Sequence, residues 1–191
     1  HPSSQSRAFL MKHVLKEQKL DIINLQETGR IWDPEVFFYP VMTPSIVSIA
    51  EIAHHSLATY HNHKTLSLVE SLPLQEGRAT VSVFKSVGNN RSVIINYNVY
   101  AHAGNTVHDR QGLASILETL SNSINQYKRT FPSAQIICSG DWNCNFFDDG
   151  SAKTKQLRDF VAENALFETT LLLGATWRGA RGAGGGIPPQ N

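Results

Sequence analysis

The sequence predicts a layered α/β sandwich, and three observations carry that reading. Short apolar runs that end in polar residues recur at 21–27, 92–100 and 135–139, which is how buried strands read. Segments with helical apolar spacing lie between or beside them, most plainly over 110–128. The composition agrees: of 191 residues, 41% are hydrophobic and 17% charged, enough apolar surface for one sizeable core and too little charge for a disordered chain.

Taken in order, residues 5–19 read as a helix, with Leu10 and Val14 on one face and Lys12, Lys16 and Glu17 elsewhere. Asp21 to Glu27 follows as a short buried strand, expected to pair in parallel. Pro34, Pro40, Pro44 and Pro73 punctuate residues 30–78. Within that stretch Ile46–Leu57 reads either as a helix or as two short strands, and Leu66–Leu72 as a strand. Ala79–Phe84 alternates, Val81 and Val83 against Thr80 and Ser82, so it is expected to be a half-buried strand. Gly88-Asn89-Asn90 marks a turn into 92–100, an apolar-rich run that suits the centre of a sheet.

In 110–128, Leu113, Ile116, Leu117, Leu120, Ile124 and Tyr127 recur at i, i+3, i+4, i+7. Gln135–Ser139 is a further buried strand, and 152–164 a third helix with Leu157, Phe160 and Val161 inward. The Gly-rich stretch at 178–191 is expected to be a flexible tail. The whole chain, 1–191, reads as a single domain.

The composition also narrows the function. A net charge of +1 is low for a dedicated nucleic-acid binder, but an enzyme that grips phosphate through a cation needs less charge of its own. Cys138 and Cys144 cannot form a disulfide framework and lack zinc-knuckle spacing, which makes an intracellular setting the default expectation. No apolar run approaches the ~18–20 residues of a membrane-spanning helix, so no membrane partner is expected.

Chemistry-bearing groups stand at strand ends: Glu27, Tyr100, Asp141 and Asn143. Strand ends are where a rigid sheet aims side chains into a shared crevice. In extended chain, residues i and i+2 point the same way, so Asp141 and Asn143 are expected to face one substrate with Trp142 turned to the other side. A carboxylate there can orient or deprotonate water, and a neighbouring carboxamide can stabilise charge on a phosphoryl oxygen. Glu27 is a hard oxygen ligand of the kind Mg²⁺ takes, and Gly140 permits close approach of another backbone segment. The competing reading of Gly140-Asp141-Trp142-Asn143 is a turn whose polar side chains bond their own backbone.

Asp21-Ile22-Ile23-Asn24-Leu25-Gln26-Glu27-Thr28 resembles the DIIxLQET segment of the endonuclease/exonuclease/phosphatase superfamily. Asn98-Val99-Tyr100-Ala101 resembles its NVYAP segment, and Gly140-Asp141-Trp142-Asn143 its GDFN segment, in the same order. With Ala175-Thr176-Trp177, the pattern looks most like the endonuclease domain of non-LTR (LINE-type) retrotransposons, and next like apurinic/apyrimidinic endonucleases. The resemblance implies a four-layered sandwich of two face-to-face sheets flanked by helices. It implies Glu27 as ligand of Mg²⁺ (or Mn²⁺), Tyr100 near the scissile phosphate, Asp141 positioning the attacking water, and Asn143 supporting the transition state. It places Arg110 ahead of the central helix as a substrate contact.

Where the family has YAPN, this chain has Tyr100-Ala101-His102-Ala103, so His102 or Asn105 is expected to replace the phosphate-contacting Asn. The family's first strand with its Asn and its terminal Asp-His pair fall outside the sequence, which is therefore expected to be truncated at both ends. The implied activity is DNA nicking by a monomeric domain of a polyprotein with a reverse transcriptase, acting in the nucleus. A superfamily phosphatase acting on inositol phosphates or sphingomyelin is the alternative within the fold. A non-catalytic remnant that binds nucleic acid or a partner is the alternative outside enzymology.

Four lesser features are read as structural. His54, His55, His61 and His63 are expected in a surface loop rather than as zinc ligands. Trp32, Phe37, Phe38 and Tyr39 are expected in the core rather than stacked on bases, and Arg178 and Arg181 in the flexible tail rather than on phosphates. Asp148-Asp149 is expected to be a solvated turn rather than a second metal locus.

Overall fold

The computed structural model describes residues 21–27, 49–54 and 56–168, with backbone alone at 49–54 and 89–91. The helix expected at 5–19, His55, the aromatic residues 32–39, Ala175–Trp177, Arg178, Arg181 and the Gly-rich tail lie outside these residues.

Two β-sheets pack face to face. The smaller sheet holds β1 (Ile22–Leu25), β2 (Ile49–His54) and β3 (Leu57–Asn62) in the order β1-β3-β2, all antiparallel. The larger holds β4 (Leu66–Gln75), β5 (Ala79–Ser86), β6 (Asn89–Tyr100) and β7 (Gln135–Asp141) in the order β4-β5-β6-β7. Tight hairpins join β4 to β5 and β5 to β6, with Gly77 (φ 63°) and Gly88 (φ 89°) in the left-handed region that such turns need. A parallel neighbour cannot be reached by a hairpin, and the β6–β7 pair is accordingly joined through helix α1 (Val107–Thr130). Helix α2 (Ala152–Glu163) follows β7.

Helix α1 starts at Val107 because Thr106 caps it. The Thr106 hydroxyl accepts from the Asp109 amide (3.2 Å), and the Asp109 carboxylate accepts from the Thr106 amide (2.9 Å). Its inward face, Leu113, Ile116, Leu117, Leu120, Ile124 and Tyr127, packs on the face of the larger sheet formed by Val81, Val83, Val93, Ile95, Tyr97 and Val99. Leu157 and Phe160 of α2 join the same cluster.

The opposite face of the larger sheet is polar and meets the smaller sheet. Asn24 and Asn96 exchange amide hydrogen bonds of 3.0 and 2.9 Å across the seam, and Asn24 also donates to Ser139 (2.6 Å) and accepts from Thr59 (2.8 Å). Nearer the strand ends, Gln26 donates to Asn98 Oδ1 (2.7 Å), while Asn98 Nδ2 donates to the carbonyls of Leu25 (3.1 Å) and Ala58 (3.0 Å).

Several expectations change here. β1 pairs antiparallel with β3, not in parallel, because its neighbours come from the smaller sheet. β5 is buried on both faces: its Thr80 and Ser82 face is covered by the second sheet rather than by water. Of the two readings of Ile46–Leu57, the strands hold over the described residues: β2 and the first residue of β3, which pair antiparallel. Two of the four histidines are therefore in strands rather than in a surface loop. His54 ends β2, and His61 is buried in β3 with its ring 5.0 Å from that of Phe84, while His63 lies in an exposed turn. The strand expected at 66–72 runs on to Gln75, the helix at 110–128 extends to 107–130, and the helix at 152–164 spans 152–163.

Candidate active site

β1, β6 and β7 end on one edge of the sandwich, and the side chains at those ends meet. The parallel ladder of β6 and β7 sets Tyr100 beside Asp141, and the Ala101 amide donates to the Asp141 carbonyl (2.8 Å). Gly140 makes that approach possible. A Cβ built there would fall 1.9 Å from the Val99 carbonyl oxygen, and its φ of 147° is one that side chains rarely allow. Across the seam, the Tyr100 hydroxyl donates to Glu27 Oε1. Glu27 itself sits just past β1 in the left-handed region (φ 55°), an uncommon conformation for a residue with a side chain.

The bond to Glu27 is the main reason the Tyr100 hydroxyl is held above its ordinary pKa, followed by burial and by the charges of Glu27 and Asp141. Tyr100 therefore stays a protonated donor at neutral pH. Arg78, at the start of β5, lays its guanidinium 4.9 Å from the centroid of the Tyr100 ring, and its carbonyl accepts from the Tyr100 amide (2.8 Å). Arg78 thus brings a cation beside Tyr100. Nothing in the sequence marks Arg78, since an Arg after Glu76-Gly77 looks like an ordinary hairpin residue.

Asp141 and Asn143 do not share a face by strand alternation. β7 ends at Asp141, and the chain turns so that Asn143 takes a left-handed conformation (φ 48°). Asp141 Oδ1 accepts from the Asn143 amide (2.9 Å), and Asn143 Nδ2 donates to the Ala101 carbonyl (2.8 Å). The turn and the convergence thus coexist: the Asx-type bond orients the Asp141 carboxylate, which remains exposed. Trp142 points to the core side, its ring 6.3 Å from that of Phe160.

The loop after β6 and the first turn of α1 carry the other candidates. His102 is half-buried against α1, and Gly112 makes room for it: a Cβ there would come within 2.5 Å of the imidazole. A glycine inside a helix costs ~1 kcal/mol, so this one marks the ring beside it. Burial holds the His102 pKa below its ordinary value, assisted by the charges of Arg78 and His108. Arg110 and Asn105 pair with each other, Arg110 Nη1 donating to the Asn105 carbonyl (3.2 Å), and the Asn105 side chain is left in an exposed position.

Two further findings concern the turn beyond β7. Asp148-Asp149 is an exposed turn: Asp148 accepts from the Gly150 amide (3.1 Å), and Asp149 pairs with Arg158 (2.5 Å). Lys153 of α2 is buried, 1% exposed, and its ammonium donates to the carbonyls of His102 (2.6 Å), Asn143 (2.9 Å) and Gly104 (3.2 Å). Sequence reasoning assigns lysines to the surface by default, so nothing in the pattern of 152–164 marked it.

The donor chemistry at the edge suits a hard cation. Glu27 presents a carboxylate held in place by Tyr100, whose partner in the parallel β6–β7 ladder is Asp141. Among the described residues, no group of three or more His, Cys, Asp or Glu side chains could cage a metal. Mg²⁺ does not require such a cage: it is commonly held by one or two carboxylates together with water and substrate phosphate.

No family model matches the sequence, and no curated protein matches it either. Solved structures do. The chain is similar to the catalytic domain of human nocturnin, solved with a bound sulfate anion (17% identity, 90% of this chain and 67% of that one, TM-score 0.60). It is similar to a humanized D. rerio TDP2 (16%, 87% and 66%, TM-score 0.55) and to the endonuclease domain of TRAS1, a telomere-specific non-LTR retrotransposon (15%, 83% and 65%, TM-score 0.55). The chain thus spans about two thirds of the length of each of these structures. The likenesses show that this chain shares the fold of these structures. Its α/β class is the one the strand and helix patterns led to, its paired sheets are those the resemblance implied, and a retrotransposon endonuclease is among the proteins that share it.

Proposed function

We propose that this chain is the core of a divalent-metal-dependent phosphodiesterase that nicks DNA, as the endonuclease of a non-LTR retrotransposon. The observation that carries the proposal is the meeting of Glu27, Tyr100 and Asp141 on one edge, with the first two joined by a hydrogen bond between the sheets. The likeness to the TRAS1 endonuclease domain supports the choice of substrate.

In this reading Glu27 holds Mg²⁺ or Mn²⁺, which would supply Lewis-acid polarisation of the scissile phosphate. Tyr100 orients the Glu27 carboxylate. Asp141, exposed and aimed by the Asn143 amide, positions and deprotonates the attacking water. Asn143 keeps one carboxamide N–H beyond its bond to Ala101 for the phosphoryl oxygen. Arg78 and His102 border the phosphate and favour its negative charge, while Arg110 and Asn105 contact the strand further along. The domain works as a monomer within a polyprotein that also carries a reverse transcriptase, and it acts in the nucleus.

The test is conversion of supercoiled plasmid to open circles by the parent polypeptide. We expect nicking in Mg²⁺ or Mn²⁺ and none after chelation with EDTA. Nicking that persists in EDTA, or no nicking in either metal, defeats the proposal.

A further inference from the structure

We propose that Lys153 is a positioning residue for this site: its buried ammonium locks the loop after β6 to the turn after β7, fixing where His102 and Asn143 stand relative to Asp141. The inference rests on the nuclease reading above.

The geometry points to that role. An ammonium has three N–H groups, and all three are spent on carbonyls: those of His102 and Gly104 in one loop, and that of Asn143 in the other. A single side chain from α2 therefore ties together the two segments that carry the candidate phosphate contacts and the candidate base. No neutral side chain offers three N–H donors from one atom.

The location is costly for stability. Lysine is among the residues least often buried, and among the described residues no salt bridge involves Lys153. It also stands in the first turn of α2, where the helix dipole disfavours a cation, and no acidic residue in that turn offsets it. Breaking two local rules at the edge of a site is the pattern expected where function, not stability, selected the residue.

The rest of α2 provides an internal control. The Thr154 hydroxyl donates to the Asn145 carbonyl (2.7 Å), and Arg158 Nε to the Phe146 carbonyl (2.9 Å). These bonds hold the segment after β7 to the helix but do not reach the loop at 102–104. Lys153 alone among the three spans both loops.

The experiment compares K153M with T154V in the parent polypeptide, using plasmid nicking in Mg²⁺ and amide hydrogen exchange. For K153M we expect kcat to fall about 10- to 100-fold with KM changed less than about threefold, since displacement of reacting groups by about 1 Å costs on that order. Exchange should rise at least about tenfold within 101–105 and 141–145 and stay unchanged in β5 and β6. T154V should keep kcat near the parental value. If K153M fails to fold, K153Q, which keeps two N–H donors without the charge, carries the same comparison. Parental kcat in a folded Lys153 variant overturns the inference, as does a kcat loss equalled by T154V. A parent that does not nick plasmid at all defeats the nuclease reading instead. The exchange pattern then decides the Lys153 inference alone, and unchanged protection of the two loops overturns it.

Discussion

The two faces of the four-stranded sheet solve different problems. One is apolar: Val81, Val83, Ile95, Tyr97 and Val99 meet Leu113, Ile116, Leu120 and Ile124 of α1. The other is a seam of amides and hydroxyls, in which Asn24, Thr59, Asn96 and Ser139 bond one another, and Gln26 bonds Asn98. Apolar contact is non-directional and tolerates small slides, whereas a reciprocal amide pair is satisfied in only one register. The apolar face holds the sheet and helix together. The polar seam fixes how the end of β1, with Glu27, stands against the ends of β6 and β7, with Tyr100 and Asp141. A site built from two sheets needs that precision more than it needs further burial.

The largest expected effect lies on the apolar face. Leu120→Ala empties a fully buried position in α1 and should cost about 2–5 kcal/mol of stability, read by urea denaturation. Nicking by the fraction that remains folded should match the parent, and a specific loss of activity there would blur the division between the faces.

Asp141→Asn tests the opposite corner. It keeps shape and an oxygen that can accept from the Asn143 amide, but removes the charge. Cleavage should fall by about 10² or more, with DNA binding and stability nearly intact. A parental rate in saturating Mg²⁺ would return Gly140-Asp141-Trp142-Asn143 to the status of a plain turn.

Asn98→Ala joins the two ideas. The change leaves the carbonyls of Leu25 and Ala58 and the amide of Gln26 without their partner, at a cost of about 1–3 kcal/mol. Activity should fall beyond what the folded fraction explains, because the strand end carrying Glu27 loses its tether. Equal losses of activity and of folded protein would show the seam to be purely structural.

The smallest effect is on pH dependence. Burial lowers the His102 pKa below 6.5, so the folded state resists a proton that the unfolded chain accepts. The unfolded state binds more protons in that window, and stability therefore falls as pH drops from the ordinary His value toward the lowered one. In urea melts across that range, His102→Gln should flatten the slope. An unchanged slope assigns it to other groups.

How much of this was legible in the sequence differs by element. The helical spacing of Leu113 to Tyr127 located α1; the helix runs two residues further at its end and three at its start, where the Thr106–Asp109 capping box extends it. The strand-end positions of Glu27, Tyr100 and Asp141 were legible because short apolar runs ended at each of them. The pairing of β1 is not legible because a short apolar run does not say which strands flank it; the burial of Thr80 and Ser82 and the place of His61 escape the sequence for another reason. A polar strand face looks the same in sequence whether water or a second sheet covers it. Arg78 and Lys153 gave no local signal at all.

The sequence by itself determined most of the described elements, with β3 unmarked and β2 left open between helix and strand, and the chemical groups at their ends, because periodicity and turn residues act over a few neighbours along the chain. Only the tertiary structure decided which partners those groups meet. The Tyr100–Glu27 bond spans 73 positions in sequence, the Asn24–Ser139 bond 115, and the Lys153 bonds to the loop after β6 about 50. Such contacts depend on how two sheets and a helix are stacked, and stacking is set by the sum of the packing rather than by any local pattern.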